Sequence, residues 1–213
     1  MISVISTTFN QAFSYSAIQE EKSVDREVFH NTVLDYLFAF VTLCGLLVLL
    51  VVKYFMSYYV AEEYYVAWSY TIPLIVGTCF LVFGTFFSVY YTVNKDSIGF
   101  LKSGTIGAVV NIGLNFTLIY LMGTIGAAIA TLFSYLAVFL YRFFDTKKYI
   151  KLNVFSFKHI ISICLIVFAG ISAYFSNPIH IAICILAIVV CLILYRNNWK
   201  KMLNILVSKI GVK

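Results

Sequence analysis

The stretch from Ser103 to Tyr141, SGTIGAVVNIGLNFTLIYLMGTIGAAIATLFSYLAVFLY, decides the fold. It holds no charged residue, and only the bare turn Met122-Gly123-Thr124 separates its two apolar halves. Each half is long enough to cross a hydrocarbon core of about 30 Å as a helix, so the pair reads as a membrane hairpin. In the first half Ser103, Gly107, Asn111 and Asn115 recur every four residues, which stacks a small and polar stripe on one helix face. In the second half Gly126, Ala130 and Ser134 repeat the interval beside Ala127 and Ala128. Such faces let helix backbones approach closely in lipid, so Gly107, Gly126, Ala130 and Ser134 are expected to pack helix against helix.

Composition carries the same reading across the chain. Of 213 residues, 62% are hydrophobic and 11% charged, and the mean hydropathy is +0.95. So little polar surface excludes a water-soluble fold and implies an all-α integral membrane protein, a polytopic helical bundle. Continuous apolar runs, in place of alternating ones, choose helices over a barrel. Cys44, Cys79, Cys164, Cys184 and Cys191 lie inside those runs, with no CxxC pair and no histidine at ligand spacing. They read as packing residues, and neither a metal nor a cofactor is expected.

Taken in order, residues 1–19 read as a partial or broken transmembrane helix, or an interfacial one, because Ser, Thr, Asn10 and Gln11 interrupt a short apolar run. With no basic n-region and no small-residue cleavage site, the segment does not read as a signal peptide. Residues 20–31 form a charged cytoplasmic connector, 32–195 a six-span membrane bundle and 196–213 a basic cytoplasmic tail. The spans are expected over about Thr32–Val52, about Trp68–Thr92, the two halves of the hairpin, about Ile160–Phe175 and about Ile179–Tyr195. Pro73 falls in the first turns of the second span, where a lost hydrogen bond costs least.

Six spans put the connector, the second and fourth loops and the tail on one side. Of the 15 basic residues, only Lys53 falls on the other. Short cytoplasmic loops are enriched in Lys and Arg, so the partition makes the crowded side and the C-terminus cytoplasmic. It also accounts for the net charge of +6 without nucleic acid, since these residues flank helices where lipid headgroups lie. Tyr54, Phe55, Tyr58, Tyr59, Tyr64, Tyr65 and Trp68 cluster at the external ends of the first two spans as an interfacial belt.

Covalent chemistry finds no support. All acidic residues except Asp35 fall in loops or at their edges, and no carboxylate pair is placed to act as acid and base. His30, His159 and His180 sit at span boundaries outside any metal spacing, and GxSxG and phosphate-loop patterns are absent. The candidates are therefore polar groups near or within spans. Asn111 and Asn115 either bond a neighbouring helix or line a hydrated path. Asp35 is either an interfacial carboxylate or a proton relay. Lys95 and Lys102 anchor a short loop or meet an anionic headgroup, and Asn10 and Gln11 stand near the chain start.

The run from Gly104 to Tyr135, with Asn111, Asn115, Gly123, Gly126, Ala127, Ala128 and the following Arg142, resembles the C-terminal half of polysaccharide flippases. These are the O-antigen and capsule repeat-unit transporters of the multidrug/oligosaccharidyl-lipid/polysaccharide exporter superfamily. The opening Phe9-Asn10-Gln11-Ala12-Phe13-Ser14 is similar to the first helix of that half. The resemblance implies one bundle of a two-bundle exporter fold in a bacterial inner membrane, not an enzyme. It implies a polyprenyl-pyrophosphate-linked oligosaccharide as cargo and glycosyltransferases or a polymerase as pathway partners. Set against such proteins the first bundle is missing, so a truncated or split transporter is the expectation. Two rivals stay open: a drug or metabolite exporter of the same superfamily, and a non-transporting membrane scaffold subunit.

Overall fold

The computed structural model describes residues 2–20, 23–154 and 156–210. Lys22, Lys213 and the last residues of the expected tail lie outside them. Among the described residues eight α-helices follow in order: α1 (Ile2–Gln19), α2 (Arg26–Tyr59), α3 (Ala67–Val93), α4 (Ser97–Met122), α5 (Thr124–Thr146), α6 (Phe157–Ser172), α7 (Asn177–Leu194) and α8 (Arg196–Ile210). One 3-10 turn, Glu62–Tyr64, links α2 to α3. Among the described residues five helices, α2, α3, α4, α5 and α7, are long and apolar enough to cross a membrane. The expected fifth span is α6, apolar but only 16 residues long.

The bundle is built around α3. In its most apolar window 78% of residues are buried, against 6% in α4. The principal neighbour of α3 is α5, two helices onward, and α1, α2 and α6 also pack on it. Glycine makes the α3–α5 approach possible. A Cβ on Gly77 would lie 3.0 Å from Leu132 Cα, and one on Gly84 would lie 3.3 Å from Phe139 Cα. Both pairs are seven residues apart, so the two backbones touch along a shared repeat of two helical turns. Aromatic rings fill the remainder: Phe38 stacks on Phe83 at 4.1 Å, and Phe13 of α1 stacks on Phe86 at 4.6 Å.

Pro73 lies inside α3 and cannot donate to the carbonyl four residues earlier, that of Ser69. The Tyr174 hydroxyl takes that acceptor at 2.6 Å, just beyond α6, and its ring lies 5.6 Å from Trp68. The helix thus continues through a proline because a side chain from another element replaces the missing donor.

Helix limits depart from the expected spans at three places. Helix α2 begins at Arg26, inside the stretch read as connector, and continues past Val52 to Tyr59. Its 34 residues make a rod of about 51 Å, well beyond the hydrocarbon thickness. Hydropathy falls at Lys53, but no Gly or Pro lies between it and Tyr59 to stop the helix. Residues 2–19 form one continuous helix seated on α3 through the ring of Phe13, and Ala17 one turn on is buried with it. The tail is helical as well: α8 carries Trp199 against the core while Lys200 and Lys201 remain exposed.

Candidate functional site

The opening hairpin forms as its sequence indicates. Gly123 adopts φ +63, a left-handed conformation that suits glycine, and turns α4 directly into α5. Gly126 then passes so close to Leu118 that a Cβ would strike the Leu118 carbonyl. Further along, Ser134 Oγ donates to the Gly107 carbonyl at 2.8 Å, and Val138 closes over the missing side chain of Gly107. At the far end Arg142 is buried. Its Nε donates to Ser103 Oγ at 3.0 Å, one terminal nitrogen donates to the Gly84 carbonyl at 3.1 Å, and the guanidinium lies 5.3 Å from the Phe100 ring. The arginine that reads as a cytoplasmic anchor therefore ties three helices together.

The small and polar stripe of α4 divides. Ser103 and Gly107 are buried in the α5 seam, whereas Asn111 and Asn115 are half-exposed on its flank. An i+4 row turns about 40° around a helix at each step, so its later members leave the line of contact. The two asparagines bond each other: Asn115 Nδ2 donates to Asn111 Oδ1 at 2.9 Å. Neither reaches a neighbouring helix among the described hydrogen bonds. That bond leaves the Asn111 amide N–H groups and the Asn115 carbonyl without a described partner, about midway along a helix of about 39 Å. An open concavity of ≈520 Å³ on the α4 surface is lined by Asn115 with Ile112, Phe116, Ile119 and Tyr120.

The other candidates do not gather there. Lys102 is exposed and lies about 180° around α4 from Asn111. Lys95 is exposed in the α3–α4 turn at φ 54. Asn10 and Gln11 belong to α1, which seats on α3. Asp35 of α2 bonds His159 of α6 at 2.8 Å, so it is neither isolated nor directed at the asparagines. Gly107, Gly126, Ala130 and Ser134 are all buried in α4 and α5.

Reading the sequence alone misses three buried knots. The His30 ring meets the Tyr90 hydroxyl at 2.9 Å, and His180 bonds Ser172 Oγ and donates to the Leu49 carbonyl. Lys53, expected as a lone external charge, is buried against the Trp68 face at 4.2 Å and bonds Asn177 Oδ1 at 3.3 Å. Their partners lie 60 to 131 residues away for His30, Lys53 and the Leu49 contact, a separation no local spacing reveals. In the α3–α4 turn Asp96 caps α4 through the Gly99 N–H at 2.8 Å. The Tyr149 hydroxyl above all, then that N–H and Lys148, hold its carboxyl down to about 2. Among the described residues, no group of three or more His, Cys, Asp and Glu side chains is placed to hold a metal.

No family model and no curated protein matches the chain. Among solved structures, the lipid II flippase MurJ in its inward closed conformation matches with a TM-score of 0.63 at 18% identity. The match covers 86% of this chain and 42% of that one, so the chain spans under half the length of its structural neighbour. The chain is thus a multi-pass helical membrane protein whose fold is similar to part of that solved structure.

Proposed function

We propose that the chain is one bundle of a flippase that moves a polyprenyl-pyrophosphate-linked oligosaccharide repeat unit from the inner to the outer leaflet of a bacterial inner membrane. The observation that carries this reading is the exposed face of α4. An asparagine pair with free hydrogen-bonding capacity stands midway along a largely apolar helix that only α5 covers extensively. In hydrocarbon such groups are costly, so they are met by water, by glycan hydroxyls or by a second bundle. The fold similarity to a lipid II flippase supports a lipid-linked cargo. The resemblance of the Asn111–Arg142 hairpin to polysaccharide flippases supports an O-antigen or capsule unit over other lipid-linked sugars.

In this reading no covalent step occurs. The asparagine face exchanges hydrogen bonds with sugar hydroxyls while the lipid tail stays in the bilayer. Alternating access comes from one bundle rocking against another across α4. The basic loops and the C-terminus face the cytoplasm, where a glycosyltransferase or polymerase of the same pathway supplies or receives the unit.

The test replaces both residues, Asn111→Leu with Asn115→Leu, in a strain whose surface polysaccharide depends on this gene. Surface polysaccharide is expected to fall at least several-fold while membrane insertion stays at the parental level. Unchanged polysaccharide removes the pair from the path. A lost drug-resistance phenotype with intact polysaccharide assigns the fold to export of small molecules instead.

A further inference from the structure

Helix α8 follows α7 with only Tyr195 between them, and the character of the chain changes at once. Residues 196–213 carry five basic residues, Arg196, Lys200, Lys201, Lys209 and Lys213, and no acidic one. The helix is 15 residues long, about 22 Å, which is short of a hydrocarbon core of about 30 Å. Its start is fixed to the bundle at two points. The Tyr195 hydroxyl lies 2.9 Å from Ser162 Oγ of α6, and Trp199 packs against the core.

Trp199, Leu203 and Val207 recur every four residues and so share one side of the helix. Protein covers only the first of them. Trp199 is half-buried, whereas Leu203 is 58% and Val207 54% exposed, so the apolar row runs on uncovered beyond the bundle. Lys200 and Lys201, also exposed, stand about 100° and about 200° around the helix from Trp199. Among the described residues no ion pair involves Arg196, Lys200 or Lys201, so their charge is uncompensated within the chain. A helix joined without a linker to the end of a membrane span lies at the level of the headgroups. There apolar side chains reach acyl chains while lysine stems carry their ammonium groups to phosphates. A stretch with basic residues and no carboxylate complements a negative surface.

We propose that α8 docks on the membrane surface at the end of α7, with Leu203 and Val207 among the acyl chains and its lysines on the phosphates of anionic lipid. The contact is independent of the transport reading, because it depends on lipid charge whatever the cargo. The full chain, one copy per lipid nanodisc, provides the test through amide hydrogen exchange along α8, which follows local opening. In discs of phosphatidylcholine with phosphatidylglycerol, exchange beyond Trp199 is expected to be slower by about tenfold or more than in phosphatidylcholine alone. Lys200→Gln with Lys201→Gln is expected to abolish that difference, since glutamine keeps the helix propensity of lysine without its charge. Leu203→Gln with Val207→Gln is expected to exchange fast in both discs, while α3 keeps its wild-type protection in every variant. Wild-type exchange equally fast in both discs overturns the proposal, as does wild-type protection in the Leu203→Gln, Val207→Gln variant. Slowing by inorganic phosphate added to phosphatidylcholine discs overturns it too, because a free anion then suffices.

Discussion

Single residues set the tightest tolerances in this bundle. Gly126 touches the Leu118 backbone, which cannot rotate aside as a side chain can. Gly126→Val is expected to destabilise the hairpin by about 3 kcal/mol and to cut the yield of folded protein in membranes. Gly113 has nothing within 4 Å of an added Cβ, so Gly113→Ala is expected to stabilise the helix by about 0.5–1 kcal/mol. Melting of the two variants side by side checks both signs. Asp96 gives a different kind of prediction. Its folded value of about 2 lies below the ordinary 3.8, so the stability it contributes is complete above the ordinary value. That stability is lost as pH falls towards about 2. A melting series from neutral to acidic buffer is expected to steepen in that window and to flatten for Asp96→Asn. A series for Asp96→Asn as steep as wild type refutes the assignment. The close approach at Gly126 is legible in the sequence as a small residue in a four-residue rhythm. The Asp96–Tyr149 bond is not, because it joins two loops 53 residues apart.

At the scale of helices, the sequence shows which segments are apolar far better than which of them touch. Small-residue rhythm in α5 anticipates the face that packs on α4, at Gly126 and Ser134, but not the further contact with α3, where Gly77 and Gly84 meet Leu132 and Phe139. Gly84→Leu is expected to force α3 and α5 apart at Phe139 and to cost about 2–3 kcal/mol. Gly104→Leu, on an open face, is expected to leave the melting midpoint within about 1 °C. Equal losses from both leucines overturn the α3–α5 contact. The stripe on α4 shows why periodicity misleads over long helices. A strict four-residue interval rotates about 40° per step, so one stripe serves two environments, a packed seam at Ser103 and Gly107 and an open flank at Asn111 and Asn115. Hydropathy likewise finds where α2 leaves the apolar layer, at Lys53, and overlooks that the helix continues to Tyr59.

For the molecule as a whole, the uncovered α4 is the feature that bears most on transport. The chain spans 42% of the flippase structure it resembles, and its least buried long helix is the one with the polar pair. We expect the purified chain in vesicles to insert but not to move a lipid-linked oligosaccharide until a second bundle, or a second copy, covers α4. A leaflet-accessibility assay with labelled lipid-linked sugar, with and without such a partner, measures this. Movement by the isolated monomer refutes it. Fold class and hairpin follow from composition and spacing because the bilayer restricts the choices. The Asp35–His159 pair and the Lys53 knot do not, since they depend on which helices become neighbours.

The α3–α5 contact also has a bearing on biosynthesis. Helix α3 emerges from the ribosome well before its main partner, because the 53 residues of 94–146 must follow before α5 is complete. At about 5–20 residues per second, that is an interval of roughly 3–10 s. Throughout it Gly77 and Gly84 leave a notch in α3 that only lipid tails can fill. The nascent chain therefore makes α3 before the helix that covers its glycine face exists. Early assembly depends on the contacts that already exist, those of α1 and α2 with α3, which makes the Phe13–Phe86 and Phe38–Phe83 stacks the holding points while synthesis continues.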